Sequence, residues 1–166
     1  MTTFRADLAE RIARADPAGL LYGGIVTAAV LAAVSAHAET TEHVAIATFA
    51  VLFLYWLAHV YVATQTMQYG GDRRPVHRRL VPAALHESSV LKGGIPALTV
   101  YVVCSLLGAE RATAAVVALD FSVAFLMIAG YLGALRAGLP ARQAVLEGVA
   151  AGVLGGLAVF AKTLLH

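Results

Sequence analysis

The sequence predicts an all-α membrane protein, built as a bundle of about five transmembrane helices. Of its 166 residues, 60% are hydrophobic and only 13% are charged. Soluble globular domains carry about 25% charged residues. The mean hydropathy is +0.77. Five stretches also reach the length of about 20 apolar residues that a helix needs to cross a bilayer.

The five predicted spans are separated by charged or turn-forming segments. They cover residues 18–36, 44–66, 89–109, 112–135 and 141–165. The first span follows Asp16 and Pro17, an acceptor and a proline in positions that favour a helix start. Pro96 predicts a kink within the third span.

The distribution of lysine and arginine predicts the orientation, because positively charged loops are retained on the cytoplasmic side of a membrane. With a cytoplasmic N-terminus, five spans put ten of the twelve basic residues on that side. Four spans, without the third, weaken this bias, so five are favoured. We therefore expect a multi-pass protein of the cytoplasmic membrane. Nucleic acid is not an expected partner, since ten acidic residues balance the twelve basic ones.

Two segments outside the spans have patterns of their own. In residues 1–15, Phe4, Leu8 and Ile12 recur at four-residue spacing opposite charged residues. This predicts an amphipathic helix, either at the membrane interface or as an extension of the first span. Residues 16–166 are expected to form a single transmembrane domain. Its long connection, 67–88, is predicted to be a basic cytoplasmic loop with one short helix.

Four arginines of this loop are candidates for binding anionic lipid headgroups. They are Arg73, Arg74, Arg78 and Arg79. Each basic residue near a membrane surface contributes about 1 kcal/mol to such binding. The alternative is that they only hold the loop on the cytoplasmic side.

Ionisable residues inside the spans are informative, because each costs at least about 2.5 kcal/mol near mid-bilayer and commonly marks a functional path. His59 and Glu147 fall at a similar inner depth when each residue adds about 1.5 Å along a helix. The two can therefore face one another. Tyr22, Tyr55 and Tyr131 are candidates to complete an inner polar cluster.

Asp120 belongs to a second, outer layer. It falls about 12 Å from the outer end of the fourth span, at the depth estimated for Tyr101. Ser122 adds a hydroxyl two residues away. The structural alternative for both layers is that these polar groups only join neighbouring helices.

The two polar layers favour a channel or transporter for protons, cations or a small polar solute. A homo-oligomer is expected because five spans enclose little aqueous volume. The first alternative is a non-transporting scaffold or partner subunit, embedded in the bilayer. The second is an intramembrane lipid-modifying enzyme that uses Ser88 or Ser122 as its nucleophile.

No motif supports an enzyme, and we assign no catalytic residue. The sequence lacks a GxSxG elbow, a Walker loop and a GxGxxG motif after a strand. No HxxxH or ExxH pair occurs within a span, so we expect neither haem nor a metal at His59, and no other cofactor.

The fifth span has the glycine spacing of a close helix contact. Gly148, Gly152 and Gly156 recur every four residues, and Gly155 lies beside them. GxxxG spacing lets another helix backbone approach closely. The helix that approaches belongs either to the same chain or to a second copy.

The segment Tyr55-Trp56-Leu57-Ala58-His59-Val60-Tyr61 resembles a segment of small membrane proteins from high-GC actinobacteria. The Ala, Val, Arg and Gly bias of the chain agrees with such a bacterial origin. The resemblance covers the first two spans and implies a compact polytopic membrane protein. It implies no particular activity, so no functional residues are transferred from it.

Overall fold

A computed structural model describes the backbone of residues 17–164 and the side chains of 18–157 and 160. Every regular element in this part of the chain is a helix. The helices are α1 (Pro17–His37), α2 (Thr41–Tyr69), α3 (Val76–His86), α4 (Ser88–Leu106), α5 (Arg111–Arg136) and α6 (Ala141–Leu164). The predicted amphipathic segment 1–15 lies outside the described residues.

Four of these helices, α1, α2, α4 and α5, are long and apolar enough to cross a membrane. The predicted all-α membrane bundle is therefore confirmed, and the chain is an integral membrane protein. Between residues 17 and 164 there are six helices, one at each of the five predicted spans and the short helix α3 in the basic loop, where the sequence predicts one. The helix α6 coincides with the fifth predicted span, and its crossing of the membrane stays a prediction.

Helix α2 is the longest element, and it defines one end of the bundle. Its 29 residues make it about 43 Å long. It begins where the Thr40 hydroxyl accepts a hydrogen bond from the backbone N–H of His43, at 3.2 Å. After a turn through Gly71, whose φ of +91° suits glycine, α3 folds back along α2. We call the end of the bundle that contains this turn the basic end.

The centre of the bundle is α1, which packs against α2, α4, α5 and α6. The buried core is made largely of small residues, which lets the helices approach closely. It contains Ala28, Leu31, Ala32, Val44, Ala97, Tyr101, Ala114, Ala115, Ala118 and Leu119. Tyr101 is the largest of the fully buried side chains.

The helices α1 and α4 meet at two glycines. A Cβ on Gly23 would overlap the carbonyl of Val90, and one on Gly93 would overlap the backbone of Leu20. Both obstacles are backbone atoms, which cannot rotate away as a side chain can. The crossing therefore depends on the absence of a side chain at these two positions.

The helices α5 and α6 form a hairpin in which glycines again face the neighbouring helix. A Cβ on Gly148 would lie 2.8 Å from the Met127 carbonyl oxygen, and one on Gly155 would lie 2.9 Å from Leu126 Cδ1. Gly152 packs on the Met127 side chain, whereas no described atom lies within 4 Å of a Cβ built on Gly156. Three of the four glycines thus contact α5 of the same chain.

Candidate functional site

A polar contact at a helix junction joins His59 of α2 to Glu87, the residue between α3 and α4. The Nδ1 atom of His59 lies 3.2 Å from Oε2 of Glu87. The two side chains are 29% and 13% exposed, so the contact is partly screened from its surroundings. It can exist as an ion pair with an imidazolium or as a hydrogen bond from a neutral imidazole N–H to the carboxylate.

Two tyrosines flank the His59 ring. The centroid of Tyr55, one turn earlier on α2, is 4.7 Å from it, and that of Tyr22 on α1 is 6.0 Å away. We call Tyr22, Tyr55, His59 and Glu87 the inner cluster. It joins α1 and α2 to the break between α3 and α4, and Tyr22 remains half exposed.

The other residues predicted for the inner layer lie elsewhere. Glu147 is exposed on α6, where its backbone carbonyl approaches Gly130. Tyr131 lines an apolar cavity of about 210 Å³ between α5 and α6. The structure thus brings His59 to Glu87 rather than to Glu147, because α3 returns along α2 and delivers Glu87 to that level. The sequence signal that could have identified Glu87 as the partner of His59 is its position directly before the third predicted span.

The outer layer is also divided. Tyr101 and Ser122 are buried in the bundle, and the Ser122 hydroxyl donates to the Ala118 carbonyl at 2.8 Å. Asp120 is exposed on the opposite face of α5. Within the described chain, the Asp120 side chain makes no hydrogen bond or ion pair. The structure therefore places Asp120 on the outer surface of the single-chain bundle, whereas Tyr101 is buried inside it.

At the basic end, a polar pocket lies in the turn between α2 and α3. It has a volume of about 240 Å³ and is lined by Gln68, Gly71, Asp72, Arg73, Arg74 and Arg79. We call it the turn pocket. Of the four loop arginines expected to bind lipid headgroups, three line it, and Arg78 does not.

Arg79 is the buried member of the turn pocket, with only 5% of its surface exposed. Its Nη1 donates to the Thr64 carbonyl at 3.0 Å, and its Nη2 donates to Gln68 Oε1 at 3.2 Å. Both acceptors belong to α2, so the guanidinium fastens α3 to α2. Its Nε has no hydrogen-bond partner among the described residues.

Asp72 and Arg74 form the closest ion pair of the turn. Arg74 Nη2 lies 2.6 Å from Asp72 Oδ2, and Arg74 Nε lies within 3.0 Å of both carboxylate oxygens. The Arg74 backbone N–H also donates to Asp72 Oδ1, at 2.9 Å. The side-chain hydrogen bond from Arg74, followed by this backbone one, lowers the pKa of Asp72 from 3.8 to about 2. The carboxylate is therefore ionised at neutral pH.

The hydroxyls considered as nucleophiles donate to carbonyls of their own helical turns. Ser88 Oγ donates to the Leu85 carbonyl at 2.7 Å, and Ser122 donates as described above. Over the described part of the chain, no basic side chain hydrogen bonds to either hydroxyl. No three His, Cys, Asp or Glu side chains in that part converge into a group that could hold a metal ion.

Comparisons with known proteins found no match. No family model, no curated protein and no solved structure matches the chain. What supports a function is therefore the geometry of the inner cluster, of Asp120 and of the turn pocket.

Proposed function

We propose that this membrane protein is a channel or transporter for protons, small cations or a small polar solute. It acts as a homo-oligomer in the cytoplasmic membrane, and Asp120 lies in the passage between copies. The observation that supports the proposal is the position of Asp120, near the middle of an apolar helix and on its outer face.

The depth of Asp120 follows from the bounds of α5. The helix runs from Arg111 to Arg136, and Asp120 lies about 5 Å from its midpoint at 1.5 Å per residue. An ionisable group near mid-bilayer costs at least about 2.5 kcal/mol unless it meets water or protein. Because the rest of the described chain offers Asp120 no partner, either a second protein surface or water has to cover it.

The surroundings of Asp120 favour another helix. Thr113, Val117, Asp120 and Ala124 are all exposed, and they follow one another at intervals of four, three and four residues. This spacing is that of a left-handed seam between two helices. Copies that meet along this stripe bring their Asp120 carboxyl groups together at one depth, and a ring of such carboxyls attracts cations and excludes anions.

The transport test compares flux through liposomes containing the native protein or Asp120→Asn. We expect proton or potassium flux to fall in Asp120→Asn, because the ring of carboxylates that attracts cations is lost. Glu110→Gln is the matched control, since Glu110 is an exposed carboxylate just before α5 and lies away from its middle. Equal flux through native protein and Asp120→Asn would contradict the proposal.

The contact between copies is tested separately by disulfide cross-linking. With Cys104→Ala as background, Ala124→Cys should form a covalent dimer on oxidation in membranes. Leu54→Cys is the control, because Leu54 is 64% exposed on α2, away from the proposed seam. Equal cross-linking at the two positions would indicate random collision.

The second candidate function is a non-transporting scaffold or partner subunit. It is favoured by the inner cluster, in which His59 and Glu87 already satisfy one another within the chain. This candidate predicts no flux from the native protein, together with a stable complex that depends on Asp120. The flux experiment therefore separates the two candidates.

A further inference from the structure

The turn pocket has a chemistry that the proposed transport does not use. Three guanidinium groups, those of Arg73, Arg74 and Arg79, line it together with a single carboxylate, that of Asp72. Arginine stays charged at any physiological pH. The lining therefore has an excess of two positive charges.

The carboxylate does not neutralise the whole lining, because it is held by one arginine. Both oxygens of Asp72 accept hydrogen bonds from Arg74, in a two-pronged contact. Arg73 is exposed and makes no hydrogen bond or ion pair with another described residue. The hydrogen bonds of Arg79 go only to neutral acceptors, a carbonyl and an amide oxygen, and its charge acts on the Asp72 carboxylate only through space.

Arg79 differs from an ordinary surface arginine because it is nineteen-twentieths buried and still has an unused donor. A buried charge without a hydrogen-bonded counter-ion is costly. A planar guanidinium suits the oxygens of a phosphate, which it can bind through two parallel N–H groups. The lining thus combines a fixed cation, Arg79, with an adaptable one, Arg73.

The length of α2 places this pocket at the level of lipid phosphates. A bilayer is about 40–45 Å thick with its headgroups, and α2 is about 43 Å long. The turn that follows its last residue, Tyr69, then lies among the headgroups of one leaflet. The pocket is therefore within reach of a phosphate without any lipid leaving the membrane.

We propose that the turn pocket binds the phosphate group of an anionic phospholipid, with Arg79 as the fixed ligand and Arg73 as the mobile one. Bound in this way, the singly charged phosphodiester halves the excess positive charge of the lining and ties the α2 and α3 hairpin to one leaflet. Arg78, which does not line the pocket, takes no part in binding.

The test measures lipid affinity of the full chain in neutral detergent. Dioctanoyl phosphatidylglycerol is titrated, and the rise in melting temperature gives the dissociation constant. Arg73→Gln should weaken binding by about five-fold, the factor that corresponds to one basic residue at a membrane surface. The matched control, Arg78→Gln, removes another exposed arginine of the same segment and should change affinity less than two-fold. Arg79→Gln should abolish binding, but it also loosens α3, so Arg73→Gln decides.

Two further titrations identify the source of the phosphate. Dioctanoyl phosphatidylcholine, which is zwitterionic, should raise the melting temperature far less than phosphatidylglycerol does. Inorganic phosphate should compete only weakly. Binding of inorganic phosphate without binding of phosphatidylglycerol would overturn the lipid assignment. Equal weakening by Arg73→Gln and Arg78→Gln would show diffuse surface attraction and would overturn the pocket itself.

Discussion

The close crossing of α1 and α4 predicts that alanine destabilises the chain at Gly93, whereas alanine at an unobstructed glycine stabilises it. Gly93→Ala places a methyl group against the backbone of Leu20, so the two helices have to move apart. Overpacking a tight contact costs up to about 3 kcal/mol. Alanine recovers about 1 kcal/mol of helix propensity. The expected net loss is about 2 kcal/mol, which lowers the melting temperature by about 4–8 °C for a chain of this size.

The control is Gly133→Ala in α5. No described atom lies within 4 Å of a Cβ built on Gly133, so only the propensity gain applies. The melting temperature should rise by about 2–4 °C, from a gain of up to about 1 kcal/mol. Thermal unfolding of both variants in one detergent measures the two shifts. Shifts of the same sign would refute the close backbone contact at Gly93.

Two further predictions concern polar contacts. In a double-mutant cycle, His59→Ala and Glu87→Ala should show a coupling of about 1 kcal/mol in unfolding free energy, the usual contribution of a hydrogen bond. The control pair, His77→Ala on α3 with Glu87→Ala, should show no coupling, since His77 is exposed. A coupling of zero between His59 and Glu87 would mean that their contact does not stabilise the fold. The second prediction concerns pH. Because the pKa of Asp72 is lower in the folded chain, the ionised carboxylate stabilises the fold above pH 3.8. This stabilisation is lost as the pH falls towards 2. The difference in melting temperature between the native chain and Asp72→Asn should therefore be constant from pH 7 to about 5 and shrink below that. A difference that is unchanged at pH 2 would contradict the lowered pKa of Asp72.

The helices could be predicted closely because long apolar runs depend on the chain alone. Each predicted span differs from its helix by at most three residues at either end. The partner of His59 could not be predicted in the same way. Glu87 reaches it only because α3 folds back along α2, and the direction of a helix after a loop is a tertiary property.

The sequence also could not predict which face of each helix is exposed. A membrane helix such as α5 is apolar on nearly every side, so its pattern does not distinguish the packed face from the lipid face. The depth estimate therefore predicts Asp120 in the interior with Tyr101, whereas in the structure α5 turns Ala118 and Leu119 towards the core. Arg78 and Arg79 raise the same difficulty. Consecutive helical residues point about 100° apart, and only the structure shows which arginine faces α2.

The glycine crossing also affects how the chain assembles during synthesis. Gly23 on α1 must wait for Val90 and Gly94 on α4, about 70 residues later. At 5–20 residues per second, the ribosome takes roughly 4–14 s to deliver it. During that interval α1 lacks the helix that packs closely on Gly23. A nascent chain stopped before α4 would therefore present an open glycine groove to the insertion machinery, whereas the hairpin of α5 and α6 closes as soon as it is made.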